Sequence, residues 1–275
     1  MYIYTEVFIN RGEELNLMLI FFQTDPKSKR VVKTECNVAY YLSSNTSVDR
    51  SPAHILSTFF LKKNLYPGAK LKDVNLVKRT IIGNVFIPRP EADAIPFSSK
   101  NLPKILEHFS MVPDSKDAKL MQETITMCED PPTKGEKKLC STSLESMVDN
   151  VISLLGTSNI QVMSTTINGP QHEKMVYTIS SPIKKFSEQD ELVICHPLPS
   201  PQAMHYCHKN IAYEVSIIPL VGHNGSMVSA VTVCHHDLIN LNWYILEVLK
   251  VKRSDMEPIC HFLPEDHFLW ISQTK

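Results

Sequence analysis

Four histidines in the second half of the chain each follow directly on a cysteine. The pairs are Cys195-His196, Cys207-His208, Cys234-His235 and Cys260-His261. Thiolates and imidazoles are common ligands of zinc and copper, and two thiols can instead be oxidised to a disulfide. These side chains are therefore the first candidates for a functional site.

A zinc site is the first interpretation of the pattern. Four cysteines and four histidines could in principle hold two tetrahedral zinc ions. Structural zinc modules, however, bring their ligands together through turns in which two to four residues separate two cysteines. The chain contains no such spacing, which argues against structural zinc.

A disulfide framework is the second interpretation. The chain has seven cysteines, and the six that follow Cys36 form an even set, as pairing requires. The segment CEDPPTKGEKKLC predicts a loop closed by a Cys128–Cys140 disulfide, because it is rich in proline, glycine and charge. The pairing stays open among the remaining four, which are Cys195, Cys207, Cys234 and Cys260. Structural disulfides would indicate an oxidising compartment.

The third interpretation adds a histidine site to the disulfides. Three of the pairs end β-rich runs, in ELVICH, AVTVCH and EPICH, and neighbouring residues of a strand point to opposite faces. A cysteine and the histidine beside it can then hardly reach the same metal. Disulfides on one face would instead draw the four imidazoles together on the other. A histidine-rich site without thiolates suits Cu(II), with zinc or nickel as further possibilities.

Other polar side chains lie close enough in sequence to join such a site. His205, His236 and His267 could add an imidazole, and Asp237 and Asp266 could orient a ring through its second nitrogen. The chain has 11 histidines in all, so ordinary surface or hydrogen-bonded histidines beside structural disulfides remain an open alternative.

The periodicity of apolar residues changes from helical to alternating near Gly156. Helices are predicted in LPKILEHFSM, AKLMQETITMCE and STSLESMVDNVISLLG, the last with a capping box at Thr142 and Glu145. Beyond Gly156, strands are predicted in IQVMSTTI, KMVYTISS, ELVICH, IAYEVSIIPLVG, SMVSAVTVCH and YILEVLKVK. Asn224-Gly225 indicates a hairpin with a type I′ turn. The predicted fold class is α+β, with helices first and an antiparallel, disulfide-stapled sheet carrying the Cys-His pairs second.

The chain divides into two parts of different composition. Residues 1–53 are polar and turn-rich and are predicted to be a loosely ordered extension, whereas residues 54–275 are predicted to be one domain. The apolar run from Leu17 to Phe22 follows two glutamates and precedes no small-residue cleavage site, so it makes a poor signal peptide. Asn45 and Asn224 begin glycosylation sequons, which matter if the chain enters the secretory pathway.

The overall charge argues against two classes of partner. The chain has 28 basic and 29 acidic residues, a net charge of −1, and no basic stripe interleaved with aromatic residues. We therefore expect no binding to nucleic acid. No apolar run reaches the length of a transmembrane helix, so no membrane span is expected. The sequence leaves the oligomeric state open.

With these spacings, the four pairs resemble the signature of the plant BURP domain, which is four Cys-His pairs followed by a tryptophan. Ten residues separate His196 from Cys207 and eight separate His261 from Trp270, as in that family. The gap between the third and fourth pairs holds 24 residues, one fewer than usual, and a tryptophan expected in it is displaced to Trp243. The segments FFLKKNLYPG, LPKILEHFS and CHFLPEDHFLW are also similar to the family, so the resemblance covers roughly residues 57–272.

The resemblance implies a secreted or vacuolar plant protein associated with seeds, cell walls or stress responses. Its partners would be components of the cell wall or of a storage compartment. In some members the cysteines of the pairs form disulfides and the histidines hold copper. Carried over to this chain, the Cu²⁺ ligands would be His196, His208, His235 and His261.

The resemblance leaves two functions open. We favour a protein without catalytic activity that binds copper and acts in development, seed or stress responses. The alternative is a copper-dependent peptide cyclase, since some members cross-link tyrosine or tryptophan side chains of a peptide substrate. Self-modification is the weaker form of this alternative, because residues 1–53 contain tyrosines but no tryptophan.

Overall fold

The computed structural model describes most of the chain from residue 56 onwards. The described residues are 8–9, 56, 58–74, 76, 85–133, 135–169, 175–186, 191–209, 213–236, 238 and 243–273. Cys36, Asn45 and Asp237 lie outside them, as does the extension predicted at residues 1–53 apart from Phe8–Ile9.

The described residues form five α-helices, four of which precede residue 156. These are α1 (Arg89–Asp93), α2 (Leu102–His108), α3 (Lys116–Glu129), α4 (Leu144–Leu155) and α5 (Trp243–Leu249). The three helices predicted from periodicity correspond to α2, α3 and α4. Short 3₁₀ turns occupy Lys62–Asn64, Ser99–Asn101 and Arg253–Asp255.

Both ends of α4 are capped. The Ser143 hydroxyl accepts a hydrogen bond from the Ser146 backbone N–H at 3.1 Å, and the Ser146 side chain lies 3.0 Å from the Ser143 backbone nitrogen. The capping box is therefore Ser143 with Ser146, one residue beyond the predicted Thr142 and Glu145. Gly156 ends the helix as predicted, in a left-handed conformation with φ of 71°.

The strands form two antiparallel sheets. They are β1 (Phe8–Ile9), β2 (Phe59–Leu61), β3 (Lys70–Val74), β4 (Lys137–Ser141), β5 (Ile160–Met163), β6 (Thr166–Asn168), β7 (Met175–Ile179), β8 (Lys184–Lys185), β9 (Leu192–Leu198), β10 (Met204–Lys209), β11 (Tyr213–Gly222), β12 (Met227–His235), β13 (Ile259–Phe262) and β14 (Phe268–Ser272). The first sheet has the order β1-β5-β14-β9-β10-β4. The second has the order β2-β13-β12-β11-β7-β3, with β6 beside β12 and β8 beside β11. The α+β class is confirmed.

The two sheets pack face to face. Ile194 and Leu269 of the first sheet form one apolar cluster with Val215, Val231 and Val233 of the second. We call the faces that meet in this cluster the inner faces. The outer face of the first sheet is covered by the apolar stripe of α4, so this helix backs the strands that carry the first two Cys-His pairs.

The segment YILEVLKVK was predicted as a strand, and that prediction is wrong. Its first residues belong to α5, whose Ile245 and Leu246 are buried against Phe59 and Ile259 of the second sheet. β-Branched residues favour strands only weakly, and here packing against an existing sheet decides the conformation.

The predicted β11–β12 hairpin is present, but its connection is not a type I′ turn. Gly225 donates its N–H to the Gly222 carbonyl at 2.9 Å and adopts a φ of 84°, whereas Asn224 is not among the described residues with positive φ. A type I′ turn requires positive φ at both central residues. The connection therefore spans residues 223–226, with glycine at the one left-handed position.

Candidate metal centre

Disulfides join the cysteines of the four pairs across neighbouring strands. Cys195 on β9 lies directly opposite Cys207 on β10, and their Cα atoms are 4.0 Å apart in the disulfide. Cys234 on β12 lies directly opposite Cys260 on β13 in the same way, with a Cα–Cα distance of 3.9 Å. The structure thus contains two copies of one arrangement, which we call a cross-strand unit.

The third disulfide closes the loop that the sequence indicated. Cys128 at the end of α3 is joined to Cys140 on β4, with a Cα–Cα distance of 5.7 Å. Cys128 and Cys140 are partly exposed, whereas the cysteines of the cross-strand units are buried.

The histidine of each pair lies on the face opposite its cysteine. Because His196 is paired with Tyr206 in the β9–β10 register, His208 is its diagonal neighbour, and their Nε2 atoms are 3.1 Å apart. In the second unit His235 and His261 are diagonal neighbours in the same sense, and their Nε2 atoms are also 3.1 Å apart.

The two histidine pairs face each other across the sandwich. The ring of Tyr213, on the second sheet, lies 4.7 Å from the ring of His235 and 5.7 Å from that of His208 on the first sheet. All four histidines are buried. Their relative exposures are 2% for His261, 4% for His196, and 6% for both His208 and His235. The structure therefore brings the four predicted ligands into one buried neighbourhood.

Burial favours the neutral form of three of these imidazoles, those of His196, His235 and His261. It lowers the pKa of His196 well below its ordinary value, and the charges of His267, His208, His261 and His235 lower it further. Burial and the charge of His261 also lower the pKa of His235 well below its ordinary value. For His261, burial lowers the pKa to about 4 despite the carbonyl of Phe262. A neutral imidazole is the form that binds a metal ion.

Acceptor groups occupy the second nitrogen of two rings. The carboxylate oxygen Oε1 of Glu136 lies 3.2 Å from Nδ1 of His208, and the carbonyl of Phe262 lies 3.3 Å from Nδ1 of His261. The Phe262 carbonyl only accepts hydrogen bonds, so Nδ1 of His261 carries the proton and its Nε2 has the lone pair. The negative charge of Glu136 favours the same tautomer for His208. In each unit, at least one lone pair therefore faces the partner ring.

The donor set fits a metal ion in its chemistry and in its pairwise spacing. Two nitrogens bound at the usual metal–nitrogen distance of about 2.0–2.1 Å lie roughly 2.8–3.4 Å apart, depending on the ligand angle. The 3.1 Å separation in each pair falls within this range. Among the described residues, no three His, Cys, Asp or Glu side chains converge on one point. Shared binding would therefore require the two pairs to approach each other.

Two further residues named from the sequence extend the cluster. His267 is buried, and its Nδ1 lies 2.8 Å from Nδ1 of His196. Asp266 lies next to it, with Oδ1 at 3.8 Å from Nε2 of His267, which is beyond hydrogen-bond distance. His267 thus contacts one of the proposed ligands directly.

The remaining predicted residues lie elsewhere. His205 points to the face of β10 that carries the disulfide, where its ring stacks on Phe86 at 5.3 Å. His236 is half-exposed and lies 3.5 Å from Glu214. Asn224 is at the hairpin, where its side-chain oxygen accepts a hydrogen bond from the Ser226 N–H at 3.0 Å. Neither His205 nor His236 joins the four histidines.

Several residues around the site were not predicted from the sequence. Glu136 and Tyr206 contact each other at 2.6 Å beside His208, Tyr213 lies between the two pairs, and the ring of Phe59 lies 5.7 Å from that of His261. Of these, only Tyr206 is next to a Cys-His pair in the sequence. The others become visible only through strand register and packing.

No helix in the part of the chain that the structure describes is long and apolar enough to cross a membrane.

Comparison with known proteins identifies the family. The BURP domain model matches residues 58–272. BURP domain-containing protein 3 of Oryza sativa subsp. japonica is 41% identical over 235 residues, which cover 84% of this chain and 53% of that protein. BURP domain protein RD22 of Arabidopsis thaliana is 38% identical over 239 residues, covering 84% and 59%. The chain spans little more than half the length of these two relatives. With a family match over most of its residues, this protein belongs to the plant BURP-domain family.

Proposed function

We propose that this protein binds copper in the plant secretory pathway and that four buried histidines hold the ion between the two sheets. The ligands would be His196, His208, His235 and His261. The observation that carries the proposal is the presence of two buried pairs of imidazoles on facing sheets, each with an Nε2–Nε2 distance of 3.1 Å.

The cysteines form disulfides and leave only imidazoles as ligands, which favours copper over zinc. The cysteines beside these histidines are consumed in disulfides and lie on the opposite faces of the strands. A ligand set of imidazoles without thiolates suits Cu(II). A bound ion would cross-link the two sheets and, where redox chemistry is used, would accept and donate single electrons.

The disulfides support the proposed compartment. Three disulfides in one domain persist only where thiols are oxidised, which in plants includes the cell wall and storage vacuoles. The proposed partners are components of that compartment, and the proposed role is in development, seed or stress responses.

An oxidative peptide cyclase is the second candidate. The position of Tyr213 supports this candidate. The ring of Tyr213 lies 4.7 Å from that of His235, so there is space for a phenol beside these imidazoles. The burial of the four histidines argues against a cyclase. None of them is more than 6% exposed, so a substrate side chain could reach them only if the two sheets moved apart. Incubation of the copper-loaded protein with tyrosine- and tryptophan-containing peptides, followed by mass spectrometry, tests it. A cross-linked product lacks two hydrogen atoms, and the incubation is carried out in air so that dioxygen accepts the two electrons and two protons.

Copper content is the direct test of the proposal. The full chain is produced in an oxidising host, offered copper and zinc together, dialysed, and assayed for both metals and for nitrogen ligation by electron paramagnetic resonance. His196→Ala and His235→Ala each remove one ligand, from different cross-strand units. His236→Ala is the matched control, because His236 follows His235 directly but lies at the surface beside Glu214.

We expect stoichiometric copper with nitrogen ligation in the wild type and the control, and loss of copper in both ligand variants. Copper content unchanged in both ligand variants would refute the shared site. Retention of half the copper in each variant would also contradict it, because this result indicates two independent two-histidine sites. Zinc bound in preference to copper would overturn the assignment of the metal.

A further inference from the structure

Glu136 is a buried carboxylate that connects the Cys128–Cys140 loop to a proposed ligand. Its side chain is only 8% exposed. One oxygen, Oε2, accepts hydrogen bonds from the backbone N–H and the hydroxyl of Thr133, at 2.9 and 2.8 Å. The other, Oε1, accepts a hydrogen bond from the hydroxyl of Tyr206 at 2.6 Å and lies 3.2 Å from Nδ1 of His208.

This set of contacts keeps Glu136 ionised in spite of its burial. The three hydrogen bonds that Thr133 and Tyr206 donate to its two oxygens stabilise the negative charge of Glu136. A buried carboxylate whose two oxygens both accept hydrogen bonds is held in one position by them. It presents a fixed negative charge to Nδ1 of His208.

The fixed charge determines which nitrogen of His208 can bind a metal. The negatively charged Oε1, 3.2 Å away, repels a lone pair on Nδ1 of His208 and therefore favours the tautomer with the proton on Nδ1 and the lone pair on Nε2. Nε2 is the atom that faces His196. We propose that Glu136 is a positioning residue, which sets the tautomer and orientation of His208, and that the Cys128–Cys140 disulfide holds Glu136 in place. The role in metal binding rests on the proposed copper site, whereas the role in the tautomer does not.

The disulfide, the strand register and a tight turn of the loop together place the Glu136 carboxylate beside His208. Its ends are joined by the disulfide, and β4 pairs with β10 so that Lys138 lies opposite His208 and Cys140 opposite Tyr206. Glu136 immediately precedes β4, after a tight turn in which its N–H donates to the Thr133 carbonyl at 3.0 Å. Gly135 adopts a φ of 84° in this turn, which a residue with a side chain rarely accepts.

The tautomer of His208 is measured first, in protein without metal. Long-range proton–nitrogen NMR spectra show which ring nitrogen carries the proton, and a pH of about 8 keeps ordinary histidines neutral. Glu136→Gln retains the size of the side chain but replaces the acceptor-only group by an amide that can also donate. Asp130→Asn is the matched control, because Asp130 is an exposed acid of the same loop.

We expect the Nδ1–H tautomer of His208 in the wild type and in the control, and a mixed or inverted tautomer in Glu136→Gln. An unchanged tautomer in Glu136→Gln would overturn the proposal. This readout needs no copper, so it decides the role of Glu136 even if the wild type binds no metal and the proposed function fails.

Copper affinity then tests the coupling to the disulfide. Loss of a carboxylate that orients a metal-bound histidine typically weakens binding about ten- to a hundredfold, which is the effect expected for Glu136→Gln. The double variant Cys128→Ser/Cys140→Ser should weaken copper binding to a similar extent. Combined with Glu136→Gln, it should cause little further loss, because the disulfide acts through the carboxylate.

A disulfide with a merely structural role gives a different pattern. Its removal would then weaken binding by the same factor whether residue 136 is Glu or Gln, and this additive result would overturn the coupling. If the double variant does not fold, the tautomer and affinity of Glu136→Gln still decide the role of the carboxylate. Affinity equal to that of the wild type in Glu136→Gln would count against it.

Discussion

His205 provides a quantitative test of how the buried histidines respond to pH. Its ring is 5% exposed and lies between Phe86 and Phe268, at centroid distances of 5.3 and 5.5 Å. Burial lowers its pKa from 6.5 to about 4, because this apolar environment cannot solvate an imidazolium ion. His205 lies on the face of β10 opposite the proposed ligands, so its effect can be separated from metal binding.

The sign follows from the protons bound in each state. Between pH 6.5 and pH 4 the unfolded chain protonates His205 while the folded chain does not, so the free energy of unfolding falls as the pH is lowered. A shift of 2.5 pKa units at about 1.4 kcal/mol per unit corresponds to ~3 kcal/mol. This contribution is fully present above pH 6.5 and is lost by about pH 4.

Urea unfolding of metal-free protein across this pH range measures the effect. We expect His205→Leu to flatten the dependence of the unfolding free energy on pH by ~3 kcal/mol between pH 7 and pH 4, whatever its stability at pH 7. His223→Leu, at an exposed position, should retain the pH dependence of the wild type. The reasoning is wrong if His205→Leu loses as much stability on acidification as the wild type.

Two further predictions concern the helices. Ile245→Ala in α5 removes a side chain that is 1% exposed and packs near the second histidine pair, so it should lower the free energy of unfolding by about 2–5 kcal/mol. Trp243→Ala in the same helix should change the free energy of unfolding by less than ~0.5 kcal/mol, because Trp243 is 67% exposed. Thermal or urea unfolding measures both variants, and equal losses of stability would contradict the packing of Ile245. Ser143→Ala should cost about 1 kcal/mol through loss of the N-cap of α4, measured in the same way. Thr142→Ala should lower the free energy of unfolding by less than Ser143→Ala does. A larger loss in Thr142→Ala would indicate that Thr142 is the N-cap residue.

The separation of disulfides from imidazoles could be predicted because it depends only on neighbouring residues. A strand sends Cys195 and His196 to opposite faces whatever the rest of the fold does. The pairing among the four cysteines of the Cys-His pairs could not be predicted, because it depends on which strands are neighbours and in which register they pair. The contact of Glu136 with His208 was beyond prediction for the same reason, since it requires the register of β4 against β10.

The helix α5 marks the other limit of sequence reasoning. Tyr244 to Lys252 has the composition of a strand, and nothing within the segment shows that Ile245 and Leu246 have an apolar surface to cover. That surface is formed by Phe59 and Ile259, of which Phe59 lies far away in the sequence. Tertiary packing overrides local preference here, as it often does for short apolar segments.

The cross-strand unit also explains why the signature tolerates gaps of different length. The two units need the same register, cysteine opposite cysteine, but the connection between their strands is free to vary. Residues 197–206 separate the pairs of the first unit, and the longer segment 236–259, which includes α5, separates those of the second. The shortened gap and the displaced Trp243 therefore fall in a connection that leaves the pairing of Cys234 with Cys260 intact. Because both units place their imidazoles 3.1 Å apart, the geometry of the site depends on strand register and not on loop length.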